Sequence, residues 1–312
     1  MTSAGHLQPK IAAIVILYLP TEKTLARLLQ SLQGTVGQIC VIDNTPTLQI
    51  SWVSQAWFSR HGFDVQYRSL GDNMGIAKAQ NVGIAMAVES ACDHVILFDQ
   101  DSEASHNMVK TLLAEERLLL SQGIKVGSVG PSFIDEKTGE YAAAIKQGWF
   151  FVKRTHIHAG DIQPIAVDFL IASGTLIRTQ VLQEVGLMMD DLFIDWVDIE
   201  WSLRAGRKQY VHFMIPKTVM NHTIGDDFVD IGVKKVNIHS DIRKYYIIRN
   251  ACYLLCDSKM ALKWRINTAC KIPAYLLIYL LSSKSKIGLL KLLLRASADG
   301  FAKRLGKMTV SS

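Results

Sequence analysis

Two aspartates that flank a single glutamine are the sharpest chemical feature of this sequence. Asp99 and Asp101 directly follow the apolar segment 94–98. Residues two apart in an extended chain point the same way, so these carboxylates repel each other and one pKa rises unless a cation lies between them. Mg²⁺ or Mn²⁺ shared with a diphosphate would relieve that repulsion. The alternative is a polar turn after a strand, in which Asp99 caps the following segment.

A second acidic group contains Asp195, Asp198 and Glu200, all within six residues. A carboxylate held near a reacting carbon can act as a general base toward a hydroxyl group. The same spacing also suits the start of a helix, where acidic side chains cap the first turn and offset the helix dipole. Taken alone, this segment favours the cap.

A segment rich in glycine and amide side chains precedes a predicted helix. Asn73 and Gly75 open it, and Lys78 follows. Helix N-termini attract phosphate because their free amides point outward, and Lys78 would add a positive charge. Ordinary capping and close helix–sheet packing explain the same residues equally well. Neither GxxxxGK[ST] nor GxGxxG occurs, which argues against an ATPase and against a dinucleotide-dependent dehydrogenase.

The elements that must position these residues alternate along the first 130 residues. The predicted strands are 11–19, 38–43, 64–70, 94–98 and 125–130, and the predicted helices are 21–33, 76–90 and 106–122. Such alternation predicts a parallel, doubly wound α/β sheet. Farther along, the pattern predicts a helix over 195–205, strands over 209–214 and 217–222, and mainly helix after about 235.

Open parallel sheets bind ligands beyond the carboxyl ends of their strands. Three of the predicted strands end in polar residues, namely Asp43-Asn44, the turn at 71–75 and Asp99-Gln100-Asp101. This convergence predicts a nucleotide-like ligand at that edge of the sheet.

The 312 residues carry a net charge of +6, but the charge is unevenly placed. Residues 258–312 contain eleven Lys and Arg and a single acid, so this tail is +10 and the rest of the chain is −4. A slightly acidic body argues against nucleic acid as its main ligand. The five cysteines form no CxxC pair, which predicts reduced thiols in a cytosolic setting.

The basic tail is also amphipathic. Ile287, Leu290, Leu294, Ala298 and Phe301 share one stripe of a predicted helix, flanked by lysine and arginine. No apolar run approaches the ~20 residues of a membrane-spanning helix. The pattern predicts a helix lying in the plane of an anionic membrane surface. A helical cap packed on the rest of the chain, or a homo-oligomer interface, would give the same pattern.

Taken together, these segments resemble family 2 glycosyltransferases with the GT-A fold, and most of all bacterial rhamnosyltransferases that use dTDP-rhamnose. The resemblance spans roughly residues 10–255 and rests on the order and spacing of its motifs. The matching segments are Tyr18-Leu19-Pro20, Val41-Ile42-Asp43-Asn44, Asn73-x-Gly75 with Asn81-x-Gly83, Leu97-Phe98-Asp99-Gln100-Asp101-Ser102, Ala172-Ser173-Gly174-Thr175, the run 193–204, His222-Thr223-Ile224-Gly225 and Arg243 with Arg249-Asn250.

The resemblance implies a catalytic GT-A domain over 1–255, with a Rossmann-like, mostly parallel sheet, and a helical tail over 256–312. It implies transfer of L-rhamnose from dTDP-β-L-rhamnose to a saccharide acceptor, lipid-linked, in bacterial cell-surface polysaccharide synthesis. The protein would then be cytoplasmic and peripheral on the inner face of the membrane. The alternatives are a galactofuranosyl or N-acetylhexosaminyl transferase using a UDP-sugar, or a catalytically silent scaffold that binds nucleotide sugars.

The resemblance also implies roles for individual residues. Asp198 would be the general base of an inverting displacement, with Asp195 as second candidate because Val197 stands where the family has Glu. Asp43 would read the pyrimidine base, and Asp99 would lie at the ribose and metal. The other implied residues are Tyr18, Asn44, Asn73, Gly75 and Lys78 for the donor, Asp101 and His222 for Mg²⁺ or Mn²⁺, and Gly174, Glu200, Trp201 and Arg249 on the acceptor side.

Overall fold

The computed structural model describes residues 8–49, 52–135, 141–147, 152–158, 160–222, 227–230, 235–238, 240–257, 260–283 and 285–309. Within these ranges, the side chains of 135, 152, 221–222, 227–230, 235–238 and 282 are outside the description.

The strands and helices of these residues follow one another as an α/β chain with a helical end. The strands are β1 (Ile11–Leu17), β2 (Gln38–Asp43), β3 (Gln66–Ser69), β4 (His94–Asp99), β5 (Val126–Asp135), β6 (Ala144–Gln147), β7 (Val152–Thr155), β8 (Ile165–Val167), β9 (Leu176–Arg178), β10 (Val211–His222), β11 (Asp227–Asp230) and β12 (Lys235–Ile238). The helices are α1 (Glu22–Leu32), α2 (Gln55–Arg60), α3 (Ile76–Glu89), α4 (Met108–Ser121), α5 (Thr179–Val185), α6 (Val197–Arg207), α7 (Asp241–Cys256), α8 (Leu262–Ser282) and α9 (Lys286–Phe301).

A mixed, mostly parallel sheet forms the centre of the described fold. Its strand order is β3-β2-β1-β4-β9-β5-β10-β8. The strands β9 and β8 run antiparallel to their neighbours, whereas the other pairs are parallel. The prediction of a Rossmann-like, mostly parallel sheet flanked by helices is therefore confirmed, with two antiparallel strands added to it.

The apolar core lies on both faces of this sheet, and β1 shows why. Every residue of β1 is buried, and alternate residues of a strand face opposite sides of a sheet. Val15 belongs to the cluster that includes α1 and α4, and Ile14 to the cluster that includes α3 and α6. Because helices cover both faces, the carboxyl ends of the strands are where ligands have access.

Strand register brings two of the predicted site residues to this edge. In the parallel pairs with β1, Asp43 of β2 lies opposite Leu17 and Asp99 of β4 lies opposite Ile16. The two aspartates therefore flank the end of β1 on either side. The prediction that these strand ends meet at one edge of the sheet is therefore confirmed.

Two local predictions need correction. The strands expected over 209–214 and 217–222 are one strand, β10, whose pairing with β5 shifts between Ile215 and Val219. Pro216 lies in that shift, and proline cannot donate a ladder hydrogen bond. The helix expected from residue 195 begins at Val197 instead, because Asp195 and Trp196 have positive φ angles of 62° and 67°.

The helices α7 and α9 pack against each other at the end of the chain. Leu289, Leu293 and Ala296 are buried there with Ile248 and Cys252 of α7. These buried residues of α9 are not the ones that form the apolar stripe predicted from the sequence. Ile287, Leu290, Leu294 and Phe301 are 43–74 % exposed. Helix α9 is thus a helical cap that also presents a second, exposed apolar face.

The helix α9 also requires a glycine where it crosses α7. A Cβ at Gly300 would lie 2.3 Å from the Arg249 carbonyl oxygen. No helix in the described part of the chain is long and apolar enough to cross a membrane.

Candidate active site

The carboxylate at the end of β2 is held in a fixed orientation. Asp43 is buried; its Oδ1 accepts a hydrogen bond from the Thr45 amide (3.0 Å) and its Oδ2 accepts one from the Tyr67 hydroxyl (3.1 Å). Burial, together with the Asp43 charge, raises the pKa of Tyr67 to about 12, so this hydroxyl remains a donor. Asp43 is therefore a rigid acceptor at the edge of the sheet.

The amides of Asn44 and Asn73 join two loops at the same edge. Asn44 Nδ2 donates to Asn73 Oδ1 (3.0 Å), and Asn44 Oδ1 accepts from the Met74 amide (2.7 Å). Asn73 Oδ1 also accepts from the Gly75 amide (3.0 Å). These bonds fix the loop that leads into α3 beside the end of β2.

Gly75 brings this loop against the turn that precedes α6. Its φ is +85°, and a Cβ there would lie 2.6 Å from the carbonyl oxygen of Phe193. The Ile76 amide donates to that oxygen at 2.7 Å, so the N-terminus of α3 already binds a main-chain carbonyl. Lys78 forms an ion pair with Asp190 at 3.0 Å. The start of α3 is therefore engaged with the protein itself.

Tyr18 lies between the ends of β1 and β4. Its amide donates to Gln100 Oε1 (2.7 Å), and Gln100 Nε2 donates to the Tyr18 carbonyl (3.0 Å). The Tyr18 side chain is 44 % exposed. A half-exposed aromatic ring is thus held beside the Asp99–Asp101 turn.

The end of β4 carries two members of the predicted metal site. Asp99 is partly buried, and its amide donates to Ser173 Oγ (3.2 Å), whereas Asp101 is exposed. The third predicted ligand, His222, ends β10, and its side chain is outside the described residues. Where side chains are described, no group of three or more acidic, histidine or cysteine residues is arranged to hold a metal ion.

Asp198 lies in the first turn of α6, and its pKa is raised toward neutral pH. It is partly buried, and its Oδ1 accepts from the Ile199 amide (2.9 Å). Burial, assisted by the Asp195 and Asp99 carboxylates and opposed by the Ile199 hydrogen bond, raises the pKa of Asp198 to about 6. A raised pKa of this kind is typical of a general base.

Asp195, the second candidate base, has a different environment. Its carboxylate is paired with Arg243, with Nε–Oδ1 and Nε–Oδ2 distances of 3.2 and 3.3 Å. Among the described residues, Asp198 forms no such ion pair with a cation. The pairing of Asp195 with Arg243 therefore favours Asp198 as the proton acceptor.

The four residues predicted on the acceptor side have structural contacts. Gly174 has φ +76°, and a Cβ there would meet Pro131 at 2.8 Å. Glu200 binds Arg204 through two hydrogen bonds (2.8 and 2.9 Å), and buried Trp201 donates to the Gly186 carbonyl (2.9 Å). In all three cases the contact shapes a loop or packs α6.

Arg249 needs a correction. It is 1 % exposed, and its Nη2 donates to the carbonyl oxygens of Leu192 (2.9 Å) and Asp191 (3.2 Å). A buried guanidinium bound to main-chain carbonyls holds the turn before α6 rather than contacting an acceptor. Its neighbour Asn250 holds the same turn; it lies within a segment that matches the family, but no role is predicted for it from the sequence. The signal was present, since two adjacent polar residues interrupt an apolar helix.

A search of known proteins finds a relative of nearly the same length. The dTDP-rhamnosyl transferase RfbF of Shigella flexneri is 32 % identical over 297 residues, which is 94 % of this chain and 96 % of RfbF. This chain belongs to the same glycosyltransferase family. No family model matches it. The predicted membership among rhamnosyltransferase-like enzymes is therefore confirmed. The activity class of this chain is that of a glycosyltransferase.

Solved structures independently place this glycosyltransferase in the GT-A fold. GalNAc-T7, solved with UDP, GalNAc and Mn²⁺, has a TM-score of 0.57 at 14 % identity over 88 % of this chain. TarS residues 1–349 of S. aureus with UDP-GlcNAc has a TM-score of 0.56 at 14 % identity over 93 % of this chain. The chain spans 58 % of the GalNAc-T7 chain and 80 % of the TarS fragment. At this identity the similarity concerns the fold alone.

Proposed function

We propose that this glycosyltransferase transfers L-rhamnose from dTDP-β-L-rhamnose to a hydroxyl group of a saccharide acceptor. The observation that carries the proposal is the 32 % identity to RfbF across 96 % of that protein. Asp43 would read the pyrimidine base, and Tyr18, Asn44, Asn73 and Gly75 would form the donor side. Lys78 completes this set once the donor competes with Asp190 for its ammonium group.

Asp198 is the proton acceptor of this proposal. With a pKa of about 6, its carboxylate is ionised at neutral pH and still basic enough to take a hydroxyl proton. As that proton moves to Asp198, the acceptor oxygen bonds to the anomeric carbon and the bond from that carbon to the diphosphate breaks. A single displacement of this kind inverts the configuration and passes through an oxocarbenium-like transition state.

Asp99 and Asp101 fit a divalent cation by the chemistry of their donor atoms. Carboxylate oxygens suit Mg²⁺ and Mn²⁺, and Asp99 and Asp101 lie two residues apart where β4 ends. His222 is the proposed third ligand. When bound, the cation supplies charge neutralisation for the departing diphosphate. Excess chelator is expected to stop transfer, and full turnover in chelator would contradict the metal requirement.

Donor choice is tested by titration calorimetry and by product formation. We expect dTDP-β-L-rhamnose to bind at least about tenfold more tightly than UDP-GlcNAc, UDP-GalNAc or UDP-galactofuranose, and its labelled sugar to be transferred to a lipid extract of polysaccharide-producing bacteria. Tighter binding of any UDP-sugar would show that the donor is wrong. Donor binding without transfer to any acceptor would favour the silent scaffold.

We further propose that the protein binds the inner face of the cell membrane through its C-terminal helices, where a lipid-linked acceptor would meet it. The exposed apolar residues of α8 and α9 include Leu277, Leu281, Ile287, Leu290, Leu294 and Phe301. Exposed Lys286 and Lys291 lie on the same helix as the last four. Apolar side chains combined with a tail charge of +10 match an anionic lipid surface.

A further inference from the structure

The turn between the short 3-10 helix at 190–192 and α6 has an uncommon backbone. Phe193, Asp195 and Trp196 have φ angles of 65°, 62° and 67°, and none of them is glycine. Non-glycine residues rarely adopt this left-handed region, and they keep it only where surrounding contacts over-determine it. The turn must therefore be held from outside.

Asn250 of α7 holds it from one side. Its side chain is fully buried, and its Nδ2 lies 2.9, 2.9 and 3.0 Å from the carbonyl oxygens of Leu192, Ile194 and Asp195. Its Oδ1 accepts from Arg249 Nε (2.9 Å) and Nη2 (2.8 Å). The guanidinium thus fixes which end of the amide faces the turn. An aspartate of the same size would instead present oxygen to three carbonyl oxygens.

Other contacts hold the turn from the remaining sides. The Phe193 carbonyl accepts from the Ile76 amide of α3 (2.7 Å), and its ring stacks on Tyr246 at 4.8 Å. Trp196 Nε1 donates to the Ile247 carbonyl (3.1 Å). Asn250 differs from these contacts because it reaches three carbonyls of the turn at once.

We propose that Asn250 is a positioning residue, which fixes the turn at 192–196 so that α6 begins at Val197 and carries Asp198 in its reactive place. The inference rests on the proposed function only in assigning proton acceptance to Asp198. Among the described residues, the side-chain hydrogen bonds of Asn250 reach Arg249 and the turn but neither Asp198 nor the loop at 71–75, so its effect is transmitted through the backbone of the turn.

The test compares Asn250→Ala with Tyr245→Phe on the same helix. Tyr245 donates its hydroxyl hydrogen to Asp299 (2.6 Å) on α9, so Tyr245→Phe removes a buried hydrogen bond, keeps the ring beside Arg249 and leaves Asn250 with its three carbonyl partners in place. We expect Asn250→Ala to lower kcat at least about tenfold while the Kd for the donor stays within about threefold. Tyr245→Phe should lower the melting temperature and leave kcat unchanged.

Amide hydrogen exchange gives a readout that is independent of activity. Exchange in a peptide covering 192–199 should accelerate in Asn250→Ala and stay at the wild-type rate in Tyr245→Phe. If Asn250→Ala does not fold, Trp196→Phe loosens the same turn by removing the bond to Ile247 and should show the same pattern. Wild-type kcat and wild-type exchange in a folded variant would overturn the inference. A wild-type protein that transfers no rhamnose would overturn the proposed function instead, and the exchange result would still stand.

Discussion

At the residue scale, the carboxylates of Asp195 and Asp198, three residues apart in the chain, have different environments. Arg243 pairs with Asp195, whereas Asp198 has no such cation partner among the described residues and burial is the main cause that raises its pKa to about 6. Divergent environments of this kind separate the chemical roles of neighbouring acids. The sequence contains both aspartates but cannot show that Arg243, 48 residues away, pairs with only one of them.

The pH dependence of kcat/KM should report Asp198. A general base must be ionised, so activity should rise with pH and level off above about 6, the value to which burial raises the pKa. Initial rates at low substrate concentration between pH 5 and 8 measure this limb. A profile that stays flat down to pH 5 would mean that another group accepts the proton.

The same shift predicts that Asp198 reduces stability. Because its pKa is higher in the folded protein, the folded state binds the proton more tightly, and stability falls as pH rises from about 4 to 6. Asp198→Asn removes this cost, so the free energy of unfolding at pH 7 should rise by about 2–3 kcal/mol. Urea unfolding at pH 7 and at pH 4 measures it. A variant less stable than wild type at pH 7 would contradict the cause given for the shift.

At the scale of the secondary-structure elements, long apolar runs can be predicted from the sequence. Short elements that depend on contacts with residues far away in the chain cannot. β1, β2, β4 and α3 follow from their periodicity, and their strand ends meet as expected. β9 has three residues, and its place between β4 and β5 comes from pairing with residues 94–96 and 129, far away in the chain. The left-handed turn before α6 likewise accepts hydrogen bonds from Asn250, 54 residues beyond Trp196 by numbering. Local patterns carry no record of such contacts.

Gly75 tests the close approach between α3 and this turn. Gly75→Ala adds a Cβ 2.6 Å from the Phe193 carbonyl oxygen, which must push the turn away. We expect kcat/KM to fall about tenfold or more and the melting temperature to fall by several degrees. Gly62→Ala is the matched control, because Gly62 also has positive φ (+74°) but has no atom within 4 Å of the added Cβ. Equal effects of the two substitutions would mean that backbone strain alone causes the fall in kcat/KM and in melting temperature.

At the scale of the whole molecule, helix α9 of the tail has one face buried against α7 and one exposed apolar face. Deleting residues 258–312 would uncover the buried face of α7, so the truncated chain should lose stability, as expected of a packed cap. The deletion therefore cannot isolate membrane binding. Adjacent leucines on α9 can, because Leu293 is 1 % exposed and Leu294 is 61 % exposed.

Leu293→Ala should cost about 2–5 kcal/mol of unfolding free energy, since it leaves a cavity between α9 and α7. Leu294→Ala should leave the melting temperature within about a degree and weaken co-sedimentation with anionic vesicles, and raised salt should weaken it further. Leu118→Ala on α4, 50 % exposed, is the surface control for vesicle binding. Unchanged vesicle binding by Leu294→Ala would mean that this face of α9 does not contact the membrane.

Features at all three scales bear on Asp198. The sheet provides the strand ends at the site, α7 holds the turn before α6, and burial raises the pKa of the Asp198 carboxylate. The most direct test is the rate of rhamnose transfer from dTDP-β-L-rhamnose by Asp198→Asn beside Asp195→Asn. Asp198→Asn should lose about 10²–10⁴-fold in kcat, the usual contribution of a general base, and still bind the donor in calorimetry. Asp195→Asn, which weakens the pair with Arg243 and keeps Asp198, should lose far less. A near-wild-type kcat for Asp198→Asn, or the reverse ranking of the two variants, would contradict the account.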